Sequence, residues 1–130
     1  MCVQQRDRPL SKGEQVIRSV LFLEPLEGDL NSIERFFLSE GVLEHASATS
    51  GFIAAELQLP EDPAAPAMVT ALWSSHDAYR AWVSDPWRAA SAERGRSIYR
   101  AVEQPGGGGS LYEVKITVSG PSRSQGYAPH

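Results

Sequence analysis

The run VIRSVLFL at positions 16 to 23 is apolar and β-branched, and Glu24, Pro25 and Gly28 end it, so the first predicted element is a strand. Beyond it, Leu30, Ile33, Phe36 and Phe37 recur at helical spacing while Glu34, Arg35 and Glu40 take the opposite side. This predicts an amphipathic helix, capped by Asp29, disturbed at Gly41 and running on to about Ala46. In GFIAAELQL (51 to 59) Ile53, Leu57 and Leu59 share one parity and Glu56 and Gln58 the other, which reads as a half-polar second strand. PEDPAAPA (60 to 67) is a loop stiffened by prolines, and MVTALW (68 to 73) is a third strand of the buried kind, so the two strands form a long hairpin.

The next helix is predicted to begin at Ser74 as its cap, with Asp77 three residues on in a variant of the capping box. Asp85-Pro86 interrupts it, because the residue before proline avoids the α region, and Pro86 then opens a second helical piece. That piece carries Trp87, Ala90, Arg94, Ile98 and Val102 at spacings of three and four, before the flexible EQPGGGGS (103 to 110). LYEVKITV (111 to 118) alternates cleanly, with Tyr112, Val114, Ile116 and Val118 on one face and Glu113, Lys115 and Thr117 on the other. The order β-α-β-β-α-β implies an α+β, ferredoxin-like antiparallel sheet with its helices on one face. The folded domain spans 15 to 118, and the polar, Gly/Pro/Ser-rich stretches 1 to 14 and 119 to 130 read as mobile termini.

These parities place Ser19, Ala55, Val69, Ala71, Trp73, Tyr112 and Val114 on the helix side of the sheet. The opposite face would carry Val16, Val20, Phe22, Phe52, Ala54, Met68, Leu72 and Leu111 beside Arg18, Glu56, Glu113 and Lys115. Such a face is too apolar to stay wet and too charged for a monomer core, so it predicts a two-fold homodimer joined through the sheets. A chain of 130 residues gains from that, since small domains bury a smaller share of their surface.

A net charge of −4, with Lys and Arg scattered among acids, excludes the basic stripe that nucleic acid or an anionic membrane surface requires. The single cysteine, Cys2, allows neither an intrachain disulfide nor a Cys-based zinc cluster, which fits a reducing cytoplasm. The N-terminal residues lack the apolar centre of a signal peptide, and no run approaches the roughly 20 apolar residues of a membrane span. There is no G-x-G-x-x-G, no P-loop and no His/carboxylate ligand triad, so neither cofactor nor metal is expected.

Chemistry concentrates in ALWSSHDAYRAW, positions 71 to 82. Trp73 falls beneath the helices with Ala71, Ala55 and Ser19 as small neighbours, and room beside an aromatic is what a pocket for a flat ligand needs. The alternative is that Trp73 only packs. The stretches SGFIAAELQL and LWSSHDAYRAWVSDP resemble the antibiotic biosynthesis monooxygenase family of the dimeric α/β-barrel superfamily, a likeness that covers about 16 to 118. The resemblance implies oxygenation of electron-rich polyphenols, such as anthrones from polyketide pathways, with molecular oxygen as co-substrate and without metal or flavin. It matches Trp73 to the family's site Trp and Tyr79 to its aromatic in the second turn of the helix. It departs at Val69, where the oxygenases most resembled have an Asn four residues before the Trp. Haem-degrading relatives place an Asn on the first strand and a His on the second helix, and this chain has only Asn31, at the start of its first helix.

Other candidates each carry two readings. His76 either removes a phenolic proton or is a solvated first-turn residue. His45 is either a second base or a favourable partner of its helix dipole. Arg94 interrupts an apolar stripe, so it either snorkels or points into the cavity to hold an enolate or carboxylate. Trp82 lines the pocket or, like Trp87, packs the helices or the dimer contact. A cyclase or isomerase using the same pocket without oxygen, and a non-catalytic binding module for a planar ligand, are the competing functions.

Overall fold

β1 (Ile17–Pro25) takes the middle of an antiparallel sheet, pairing along one edge with β3 (Ala67–Trp73), from Ile17 opposite Trp73 to Leu23 opposite Ala67. The computed structural model describes residues 15 to 27 and 29 to 121. The termini expected to be mobile lie outside these residues except for 119 to 121, and so does Gly28. β2 (Phe52–Gln58) pairs with the far edge of β3. The remaining edge of β1 is shared by β4 (Tyr99–Val102), opposite Phe22 to Pro25, and β5 (Ser110–Glu113), opposite Ile17 to Val20. The order β2-β3-β1-β4, with β5 continuing the last position, is a ferredoxin-like α+β arrangement whose fourth strand is split in two.

Local chemistry explains most element ends. The Asp29 carboxylate accepts from the Asn31 backbone N–H at 3.0 Å and caps α1 (Leu30–Glu40). Gly41 then adopts a left-handed φ of 67°, which breaks the chain into a second short helix, α2 (Val42–Ala46). The cap of α3 (His76–Val83) is Ser75, accepting from Ala78 N–H at 3.1 Å, and not Ser74. Ser74 lies just past β3, its N–H donating to the Gly51 carbonyl at 2.8 Å. Asp85 caps α4 (Pro86–Arg94) through Trp87 N–H at 2.8 Å, with Pro86 at the first position.

Two predicted elements are corrected. The second helical piece does not reach Val102: it gives way to a 3-10 turn (Gly95–Ser97) and then to β4. Gly95 is buried against the Tyr99 ring, which packs on Phe36 at 5.7 Å, and the Ile98 carbonyl accepts from Leu26 N–H at 3.0 Å. Burial of Tyr99 and a free sheet edge outweigh helical spacing here. The final strand stops at Glu113, one hydrogen bond before the Val114 N–H reaches Val16, and Ile116 and Val118 are exposed.

The faces of two segments also differ. A bulge between Phe52 and Ala54 leaves Ile53 unpaired and exposed and turns Phe52 to the helix side, where its ring meets Trp73 edge-on at 5.4 Å. In β5, Leu111 stands opposite Ser19 and Tyr112 opposite Arg18, so Leu111 and Glu113 follow the helix-side parity and Tyr112 the open one. Gly109 sets that register: a Cβ there would lie 2.2 Å from the Val20 carbonyl oxygen, an approach only glycine permits.

The core forms two clusters between the sheet and the helices. One gathers Ile17, Ala71, Trp73, Tyr79 and Trp82, the other Leu23, Ile33, Phe36, Phe37 and Ala67. The opposite face of the sheet, with Arg18, Phe22, Met68, Leu72, Val102 and Tyr112, has no element packed over it among the described residues. No helix among them is long and apolar enough to cross a membrane.

Candidate active site

Ala55, Ala71 and Ser19 stand abreast on three neighbouring strands, since Ala55 is opposite Ala71 and Ala71 opposite Ser19. This row of small side chains opens a cavity of about 590 Å³ between the sheet and the helices. Val69 and Leu21, the next pair along β3 and β1, continue its floor, and Trp73 closes one end. Tyr79 and Trp82 from α3 and Trp87 and Arg88 from α4 form the opposite wall.

The polar groups of this wall are tightly held. Trp73 is only 1% exposed, and its indole Nε1–H donates to Ser19 Oγ at 3.0 Å. Its ring lies 5.5 Å from that of Tyr79, whose hydroxyl oxygen accepts from Gly109 N–H at 2.7 Å. Arg88, with its side chain 15% exposed, sets its guanidinium 6.0 Å from the Trp82 ring and 4.0 Å from a Glu103 carboxylate oxygen. Burial pushes the Tyr99 hydroxyl above its ordinary value, against the smaller opposing pull of Arg88. Glu93, Arg96 and Arg100 also line the cavity.

Of the residues singled out in the sequence, the cavity brings together Ser19, Ala55, Val69, Ala71, Trp73, Tyr79 and Trp82. His76, His45, Arg94 and Tyr112 do not line it. His76 is the first residue of α3. His45 is exposed and stacks on Trp87 with ring centroids 3.7 Å apart, behind the wall instead of within it. Arg94 pairs with Glu40 at 2.7 Å, and Tyr112, 58% exposed, faces away because of the β5 register.

Arg88 is the functional candidate that sequence reasoning missed. The spacing Trp87, Ala90, Arg94 draws attention to one face of α4, whereas the buried positions are Ser91 and Gly95. The signal was present as Arg88, Ser91, Ala92 and Gly95, three small residues following an arginine at i, i+3, i+4 and i+7. Among the described residues no group of three or more His, Cys, Asp or Glu is gathered as a metal-binding set.

No family model matches this chain, and no curated protein matches it. Solved structures do. SnoaB of Streptomyces nogalater, a cofactor-independent oxygenase, superposes with a TM-score of 0.63 at 18% identity, over 80% of this chain and 97% of that one. The fold is that of the antibiotic biosynthesis monooxygenases. A Caulobacter crescentus protein described as a candidate member of that class aligns with a TM-score of 0.58 at 16% identity, over 79% of this chain and 92% of its own. MhuD of Mycobacterium tuberculosis, a heme-degrader with two hemes bound in its active site, gives 0.58 at 20% identity, over 80% of this chain and 99% of its own. These neighbours support the resemblance to that family at the level of the fold.

Proposed function

We propose that this chain is a cofactor-independent monooxygenase that oxidises an aromatic polyketide or similar polyphenol with molecular oxygen. The observation that carries the reading is the aromatic-walled cavity beside Trp73, opened by the Ala55, Ala71 and Ser19 row, on the fold that SnoaB uses. A cavity of about 590 Å³ suits a flat ligand of a few fused rings. The chemistry asks little of the protein, because a deprotonated anthrone is itself the reductant. Its ring CH₂ loses two hydrogens and gains one oxygen atom as a carbonyl, and the second oxygen atom leaves with those hydrogens as water. The chain's contribution is to hold the anion and exclude bulk solvent, with Arg88 the cation placed to share the negative charge.

The working unit in this reading is a cytoplasmic homodimer in which the open sheet faces cover one another. Phe22 and Val102, directly opposite on β1 and β4, are both exposed there, and Glu24 and Arg100 already pair beside them.

One observation favours a second reading. Val69 lines the cavity where the oxygenases most resembled have an amide, and a cyclase or isomerase would need no such group. An oxygen electrode separates the possibilities. Metal- and flavin-free protein given an anthrone should consume one O₂ per quinone formed. Conversion without oxygen uptake replaces the oxygenase by a cyclase or isomerase, and binding without conversion leaves only a ligand-binding module.

A further inference from the structure

Ser19 is a hydroxyl in the middle of the central strand, 6% exposed, at a position where the facing residue is Ala71. Packing alone is served by alanine there, and burying a hydroxyl without partners is unfavourable. Its partner is the Trp73 indole, at 3.0 Å. An indole N–H can only donate, so the direction of this bond is fixed: Ser19 supplies a lone pair, and its own proton must point elsewhere. Both edges of β1 at Ser19 are occupied, by Ala71 and by Leu111, so the flanking backbone carbonyls belong to the ladders. Among the described residues the Ser19 O–H finds no acceptor, while the cavity lies on its open side.

Tyr79 repeats the arrangement on the other flank of the same indole. Its oxygen accepts from Gly109 N–H at 2.7 Å, and its O–H likewise has no acceptor among the described residues. The cavity is thus lined by two residues whose hydroxyls each have one lone pair engaged by a fixed N–H donor and a proton without an acceptor among the described residues. Such protons are available to a ligand oxygen that accepts.

We propose that Ser19 is a substrate-binding residue, aimed by Trp73, and that it donates its hydroxyl hydrogen to an ionised oxygen, a phenolate or enolate, on a flat aromatic ligand. It supplies from β1 a polar donor that Val69 does not supply from β3. The proposal rests on the reading of this cavity as a ligand site.

The hydroxyanthraquinone dye alizarin tests it, because its colour reports its ionisation. Bound to the wild-type protein, the dye should ionise at a lower pH than in free solution. Ser19→Ala should raise the pKa of the bound dye by about 1 to 2 units, the equivalent of one hydrogen bond to a charged group. Ser19→Cys keeps the volume but offers a much weaker donor, and should shift the value the same way if loss of the indole's partner unfolds the alanine variant. Ser19→Thr, which keeps the hydroxyl, should stay near wild type. If a folded Ala or Cys variant binds the dye with an unchanged pKa, the Ser19 proposal is overturned and the cavity reading survives. If the wild-type protein binds no alizarin, both fall together.

Discussion

Arg94 grips Glu40 with two nitrogens: Nη2 lies 2.7 Å from one carboxylate oxygen and Nε 3.0 Å from the other. This fork ties the last residue of α1 to the last of α4, and Ser91 Oγ donates a further bond to the same carboxylate at 3.1 Å. The hydrogen bonds from Arg94 hold Glu40 below its ordinary value of 4.5, against a partial desolvation that raises it. A carboxyl with a lowered folded pKa stabilises the protein above the unfolded pKa and stops doing so as pH falls through the folded one. Arg94→Met should therefore reduce stability at neutral pH and flatten the acid loss of stability below about pH 4.5. Ligand binding should not change, since Arg94 lies outside the cavity. Urea unfolding at a series of pH values, with dye binding alongside, checks both parts.

Tyr79→Phe removes the acceptor of Gly109 N–H while leaving the ring beside Trp73. An unsatisfied buried amide should cost about 1 to 3 kcal/mol in denaturant unfolding. The loss should be local, so amide exchange at Gly109 should accelerate more than exchange in β3.

Arg88→Met keeps much of the aliphatic stem over Trp82 and removes the charge. If the cavity takes an anion, affinity for an ionised hydroxyanthraquinone should fall roughly ten- to a hundredfold, the range for a hydrogen bond to a charged group. Affinity for a neutral aromatic of the same outline should hardly move. Fluorescence titration with the two ligands reads the difference, and equal losses would mean that Arg88 only shapes the wall.

Phe22→Asp places a carboxylate in the middle of the open sheet face, opposite Val102. A dimer joined there would have to bury that charge without a partner, so the variant should sediment as a monomer at micromolar concentrations where the wild type is a dimer. Because Phe22 points away from the helices, the melting temperature of the separated domain should change little.

How much of this was legible depends on whether the determining contact is local. Asp29, Gly41 and Asp85-Pro86 act within a turn of themselves, and each element boundary they set is readable from the residues. The bulge at Ile53 is a one-residue event with no period, so alternation assigned Phe52 to the wrong face. The register of β5 follows from how closely Gly109 can approach Val20, a contact between distant parts of the chain that alternation within LYEVKITV cannot encode. The same holds in the site. Trp73 and Tyr79 stand out by their setting in one short stretch, whereas the partner of Trp73 is 54 residues away and that of Tyr79 is 30 away. Arg88 was hidden because the apolar stripe of α4 competes with a stripe of small residues.

The loop between β4 and β5 leaves the sheet edge partway along a single strand position and closes on itself, Gln104 N–H donating to the Gly108 carbonyl at 2.9 Å and Gly107 N–H to that of Gln104 at 2.8 Å. Each half of the edge has its own ladder to β1, so residues added at the tip of the loop need not slide either half. The fold therefore contains a point at which chain length can drift through evolution, close behind a wall of the cavity, without disturbing the pairing of Ser19 with Ala71.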